Sequence, residues 1–382
     1  MKKVFYWCPH INHQVATCKA VLNSAYSLKK YSKNFEPVII NCFGEWDYFK
    51  QELEKKNLKV INLFNFKINL PINGFFKSRL FYIVFSLMAI LPLYRLIKLN
   101  KPNYLILHLI VIPALILSMF SKQKTKFILR ISGFPKLNLF RKTFWNFCSK
   151  NLSIIFSPTK NTIKVLKDKK IFKHKKIELL EDPIIEISKI NKLKKENLLS
   201  FHKDSYLVSV GRLTKQKNFD FLISSFGLFT KDKNLKLLIV GSGELKKTLD
   251  KKIRDLGLEN RVILTDYKEN VFKYIYNSKL FVLTSDWEDP GFVIIEAAAC
   301  GKVILCSKVQ SGPLEFIGED ESCGVMYEKN NFDDFSKKIS FALENLNSQS
   351  VKLKIYNAKK RTNNYTLFRH SQKLSNYLNS LN

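Results

Sequence analysis

Between residues 206 and 306 strand-length apolar runs alternate with helical patterns, and nothing else in the chain restricts its fold as strongly. Strands are predicted at 206–210, 235–240, 262–264, 280–283 and 303–306, with helices at 219–229, 245–256 and 271–277 between them. Strands joined through helices lie parallel in one sheet with both faces covered. Such sheets bind ligands beyond the carboxyl ends of their strands, so the loops there are where chemistry is expected.

The same alternation, less regular, precedes residue 200. A strand at 3–7 is followed by a polar stretch with His10 and His13, then by a helix at 15–31. Further apolar runs lie at 37–41, 59–63, 104–109, 126–131 and 153–157, and His108 and Arg130 sit at the ends of two of them. A histidine at a strand end can be a packed core residue or a wall of a crevice; the strand-end position favours the crevice. The lysine-rich run 169–195, with its Glu181-Asp182-Pro183 turn, is the linker candidate. The expected organisation is a parallel-sheet α/β domain at 1–185, a linker at 186–203, a second such domain at 204–356 and a terminal helical segment at 357–382. Two halves of this size each bury a substantial core. Only Gly44, Gly74 and Gly133 precede residue 200, and the other ten of thirteen glycines follow it, so close backbone approach to a ligand is expected in the second half.

Residues 75–98 are the most hydrophobic segment. Their charge-free core, 80–94, falls short of the roughly 20 residues a spanning helix needs, and Pro92 interrupts it. It reads as one helix, either buried or lying on a membrane surface, where Lys77, Arg79, Arg95 and Lys98 would meet anionic head groups. The net charge, 64 − 32 = +32, points to anionic partners: head groups, diphosphates or nucleic acid. A composition rich in Lys, Asn, Ile and Phe accounts for part of the lysine, but not for carboxylates failing to match it. The seven cysteines contain no C-x-x-C pair and read as reduced, packed thiols. The basic start MKKVFYWCPH lacks an adequate apolar core and a small-residue cleavage site, so secretion is not expected.

Three constellations carry chemistry. Gly211 to Asn218 follows a buried strand; its glycine admits close approach, Arg212 offers a planar fork and Lys217 a point charge to a diphosphate. Gly241-Ser242-Gly243-Glu244 begins like a dinucleotide fingerprint, but Lys246 stands where the third glycine belongs, which excludes a nicotinamide or flavin reading. Glu288 and Glu296 stand eight residues apart across a strand–turn–helix junction, with the backbone N–H groups of Gly291 and Phe292 nearby. A glycosidase acid–base pair is one reading of two carboxylates; among phosphate-compatible loops, hydrogen bonding to sugar hydroxyls fits better.

Together GRLTKQKN (211–218), GSGEL (241–245) and SDWEDPGFVIIEAAACGK (285–302) resemble the donor half of a family 4 retaining glycosyltransferase with the GT-B fold. The resemblance covers about 204–330 by motif and the first half by topology. It implies an α/β architecture of two Rossmann-like domains facing across a crevice, with a terminal helix, here 357–377, crossing back to the first domain. It also implies transfer with retention, no required metal or cofactor, and a nucleotide-sugar donor, expected to be a UDP-sugar. Arg212 and Lys217 would hold the diphosphate, Glu288 would orient the donor sugar, Glu296 would bind the ribose and Tyr267 would lie near the base. His108 would reach the donor sugar from the first domain, while His10, His13 and Arg130 would serve the acceptor. Two departures stand out: the first loop reads PHINHQVAT rather than carrying glycines, and Asp289-Pro290 replaces Gly-Phe after the first glutamate.

The expected acceptor is a lipid-linked or lipopolysaccharide- or capsule-type glycan, and the expected location is the cytoplasmic face of a membrane. A soluble acceptor or a nucleotide-sugar epimerase on the same fold are the alternatives. A non-catalytic polyanion binder is suggested only by charge; no nucleic-acid recognition module is visible.

Overall fold

In the computed structural model, residues 1–10, 16–66, 75–120, 124–135, 137–198, 205–229, 232 and 234–381 are described, without the side chains of 75–80 and 140. His13 lies outside them. The first half places in chain order β1 (Lys2–Trp7), α1 (Ala16–Tyr31), β2 (Phe35–Asn41), α2 (Lys50–Lys55), β3 (Lys59–Asn62), α3 (Phe75–Asn100), β4 (Tyr104–Leu107), α4 (Ile112–Phe120), β5 (Lys126–Arg130), α5 (Leu139–Ser149), β6 (Ile154–Ser157), α6 (Lys160–Asp168) and β7 (Ile177–Leu179). The seven strands pair in parallel in the order β3-β2-β1-β4-β5-β6-β7.

The pleat of β1 divides the core in two. Phe5 and Trp7 face a layer containing Phe85, Leu93 and Leu115 from α3 and α4. Val4 and Tyr6 face the opposite layer, with Val21, Leu22 and Leu28 of α1. α3 runs through Pro92 as one helix. β7 lies inside the stretch predicted as linker. It is an edge strand beside Lys173, Lys175 and Lys176, and charged edges are how sheets avoid pairing with other chains, so its sequence reads as a tether.

The second half continues with α7 (Ile187–Leu193), β8 (Tyr206–Val210), α8 (Phe219–Leu228), β9 (Lys236–Val240), α9 (Lys246–Asp255), β10 (Val262–Thr265), α10 (Phe272–Asn277), β11 (Leu280–Leu283), α11 (Phe292–Ala299), β12 (Ile304–Ser307), α12 (Gly312–Ile317), β13 (Val325–Tyr327), α13 (Phe332–Glu344), α14 (Gln349–Arg361) and α15 (Leu367–Ser380). Its six strands are also parallel, ordered β10-β9-β8-β11-β12-β13.

Met1–Ile184 with Leu367–Asn382 form one compact unit and Ile185–Thr366 the other. α7 thus stands where a linker was expected. It is fastened within the second unit by Asn270, whose Nδ2 donates to Leu193 O at 2.9 Å and to Glu196 Oε2 at 2.8 Å. The terminal segment is two helices rather than one. α14 belongs to the second unit; α15 packs on α1 in the first, burying Leu374 and Leu378, and Tyr104 Oη donates to Leu378 O at 2.6 Å. The break between them is a 3-10 turn at Thr362–Tyr365, after which Thr366 bridges Ile185.

Candidate active site

Each strand order reverses direction once, between β1 and β4 in the first unit and between β8 and β11 in the second. At such a point the two neighbouring crossovers leave on opposite faces and open a crevice at the strands' carboxyl ends. In the second unit the loops at that point are 211–218, after β8, and 284–291, after β11. They are two of the three constellations read from the sequence.

The structure locks these loops together. Lys217 Nζ forms an ion pair with Glu288 Oε1, and Ser285 Oγ donates to the same carboxylate oxygen at 2.6 Å. Both ion-pair partners are buried. Thr284 Oγ1 donates to Lys217 O at 2.9 Å, Asp286 N to Gln216 O at 2.8 Å and Gln216 Nε2 to Trp287 O at 2.9 Å. Two residues assigned to adjoining parts of a donor molecule, Lys217 to the diphosphate and Glu288 to the sugar, are therefore partners of each other. Glu288 anchors the Lys217 ammonium, and a hydrogen-bonded pair at this depth is costly to break from one side. Arg212 is exposed, with no side-chain partner among the described residues, so its fork is available to a diphosphate.

The glycines of the second constellation are required by the chain's own packing. A Cβ at Gly241 would lie 1.8 Å from Gly211 O, and one at Gly243 would lie 2.4 Å from Leu213 O. The close approach is to the chain's own backbone, where Leu213 N donates to Ser242 O at 2.9 Å and Leu245 N to Leu213 O at 3.0 Å. Gly291 precedes α11 with φ +82°, the left-handed region that favours glycine, and Phe292 opens the helix. Glu296, one turn on, is half-buried, and Tyr267 is exposed in the loop after β10.

In the first unit His108 and His10 follow the switch-point strands β4 and β1. His108 is buried, with Nδ1 3.4 Å from Ser132 Oγ. Burial first, then the charge of Arg130 and the neighbouring His370, hold its pKa well below the ordinary histidine value. Both causes favour the neutral ring. His10 is buried edge-on against Trp46, with Nδ1 3.1 Å from Cys8 O. Arg130, expected to meet the acceptor, is buried and gives Nη2 to Asp182 Oδ1 at 2.6 Å. The guanidinium thereby ties β5 to the segment after β7.

The profile of the family described as Glycosyl transferases group 1 matches residues 190–361. The uncharacterized glycosyltransferase MJ1059 of Methanocaldococcus jannaschii is 31% identical over 310 residues, 76% of this chain and 73% of that protein. The chain belongs to the group 1 glycosyltransferases. Another relative, from Campylobacter jejuni, is N-acetylgalactosamine-N,N'-diacetylbacillosaminyl-diphospho-undecaprenol 4-alpha-N-acetylgalactosaminyltransferase. It is 30% identical over 254 residues, 64% of this chain and 66% of that one. Among solved structures, Anabaena Alr3699/HepE in complex with UDP superposes with a TM-score of 0.73 at 17% identity, covering 100% of each chain. TarM superposes at 0.75 with 15% identity and 99% coverage of each. Both units of this glycosyltransferase thus have the parallel-sheet, Rossmann-like form of GT-B enzymes.

Several residues of the glycosyltransferase escaped the sequence reading. Ser285 and Thr284 lay in view within or beside a quoted motif, but nothing local marks them as props of the Lys217–Glu288 pair. His370 of α15 is buried in the first unit; its Nδ1–H donates to Glu181 O at 2.7 Å and its Nε2 accepts from Ser24 Oγ at 2.8 Å. Burial lowers its pKa to about 3. Glu45 receives Cys42 N at 2.9 Å and Phe43 N at 2.8 Å, and burial pushes its pKa up to about 7.

Proposed function

We propose that this glycosyltransferase moves a hexosyl or N-acetylhexosaminyl group from a nucleotide sugar, with UDP as the carrier, onto a lipid-linked or lipopolysaccharide- or capsule-type glycan. The reading includes retention of anomeric configuration, no requirement for a metal, and peripheral attachment at the cytoplasmic face of a membrane. Its main support is the switch point of the second unit, where exposed Arg212 shares a loop with a Lys217 ammonium already fixed by Glu288. Cations held in place before the reaction stabilise charge developing on a departing diphosphate without reorganising. The names of relatives bear on the acceptor: one acts on a diphospho-undecaprenol glycan, and another is a lipopolysaccharide core biosynthesis glycosyltransferase.

In this reading Arg212 and Lys217 contact the diphosphate, Glu296 the ribose and Tyr267 the base. Neutral His108 offers a hydrogen bond to the donor sugar, and Glu288 acts through Lys217. Asp289, whose Oδ1 accepts from Ser311 Oγ at 2.9 Å, shapes the loop that selects the sugar. The test is thermal unfolding and donor hydrolysis across a panel of UDP-, GDP- and dTDP-sugars, with and without EDTA. Stabilisation by one donor class, and hydrolysis that persists in EDTA, are expected; a protein indifferent to every donor would sink the reading. The anomeric configuration of the product, read by NMR, tests retention separately.

A further inference from the structure

We infer that the outer face of α3 is a membrane-docking surface that lies flat in the head-group region of an anionic bilayer. α3 is apolar all round, yet only 33% of Phe81–Asn100 is buried. Phe81, Phe85, Ala89, Leu93, Leu96 and Ile97 enter the core of the first unit. The other stripe, Tyr82, Ile83, Val84, Leu87, Met88, Leu91 and Tyr94, is 40% to 67% exposed. The outer face of a surface helix on a soluble protein is ordinarily charged, and a contiguous apolar stripe of this kind marks an interaction site. Phe120, at the end of α4, which packs against α3, is also 73% exposed. Because the inner stripe is committed to the core, the helix cannot cross a bilayer; it can only lie along one.

Charge identifies what covers the face. From residue 55 to residue 167, a stretch that contains all of α3, there are 20 Lys and Arg and no Asp or Glu. The first unit carries 34 basic and 9 acidic residues, 34 − 9 = +25, and the second 30 and 23, 30 − 23 = +7. Basic residues are almost equally dense in the two units, 34 in 200 residues and 30 in 182. A lysine-rich composition therefore does not produce the asymmetry; missing carboxylates do. The excess sits on the unit with the bare apolar helix, not on the unit whose loops suit a diphosphate. An apolar stripe flanked by exposed Arg95, Lys98 and Lys101, on a unit poor in acids, matches a surface that is apolar within and anionic at its rim. A second copy of this chain would bring +25 against +25, and a soluble polyanion would leave the apolar stripe uncovered.

This inference deepens the lipid-linked acceptor reading but is tested without donor or acceptor, so each can fail alone. Full-length protein is floated with vesicles of phosphatidylglycerol and phosphatidylethanolamine, and with neutral phosphatidylcholine vesicles. Partition at least tenfold stronger onto the anionic vesicles is expected, weakening as salt rises. The double variant Leu87→Asp, Leu91→Asp, with its thermal transition unchanged, should lose at least tenfold of that partition. Leu353→Asp, at an exposed apolar site of the second unit, should lose none. As a second readout, the indole introduced by Leu87→Trp should shift its emission to the blue on vesicle addition and be quenched by brominated acyl chains. Partition that the double variant leaves intact, an unquenched indole at position 87, or a dimer in light scattering that the double variant dissolves would each overturn the inference.

Discussion

The two units share one topology, a parallel sheet whose order reverses at a single point, and they use charge in opposite ways. The second, at +7, keeps its carboxylates and spends several on structure. Glu288 receives Lys217 and Ser285, Asp286 receives Lys329 at 3.0 Å, and the two switch-point loops close on each other. The first, at +25, has few carboxylates to spare and sets neutral histidines in its interior, with Arg130 and Asp182 as its buried ion pair. A parallel sheet thus supplies the place for a site but not its electrostatics. On the function and docking proposed above, the second unit pairs the cations it presents to a diphosphate, and the first suits an anionic surface by carrying few acids.

The comparison breaks first at the glycines. Gly241→Ala puts a methyl group onto Gly211 O, and the second unit should lose about 4 kcal/mol or more of stability, or fail to fold, in a denaturant titration. If the variant is as stable as the parent, the loops are not locked. Glu288→Leu strands the buried Lys217 ammonium, with an expected cost of about 3–5 kcal/mol and loss of transfer. A stable variant that remains active would show that Lys217 needs no anchor. Arg212→Ala touches nothing in the fold and should leave the thermal transition in place while lowering kcat by about 100- to 1,000-fold, comparable with removing one preorganised electrostatic donor.

The smallest expected effect lies in the first unit and concerns pH. The folded pKa of His370, about 3, lies below the value of about 6.5 for an unfolded histidine. Between these values the unfolded state binds the extra proton, so stability falls as pH drops from about 6.5 toward 3 and is fully present above 6.5. His370→Gln should be less stable at pH 7.5, where the bonds to Ser24 and Glu181 are weakened, yet show a shallower decline of Tm with acid. An unchanged slope would place the acid sensitivity elsewhere in the molecule.

Much of this glycosyltransferase is legible in its sequence because the signals are local. Alternating apolar runs determine parallel sheets; the acid-poor, apolar segment around α3 determines a helix without a polar face; the loops after β8 and β11 stand out as site candidates by residue type alone. The reading failed where a short element looked like something else. β7 hides among lysines because an exposed sheet edge favours them, and α7 stands where composition suggested a linker. Other facts needed the tertiary structure, because they join positions with no local relation. Only the strand order puts the loops after β8 and β11 side by side, pairing Lys217 with Glu288 across 71 residues. Only packing shows that Gly241 is required by Gly211 O, that Arg130 is taken by Asp182, and that His370 answers to Glu181, 189 residues earlier. Hydrophobic periodicity specifies which face of an element is buried; the identity of the neighbour follows from the order in which the strands assemble.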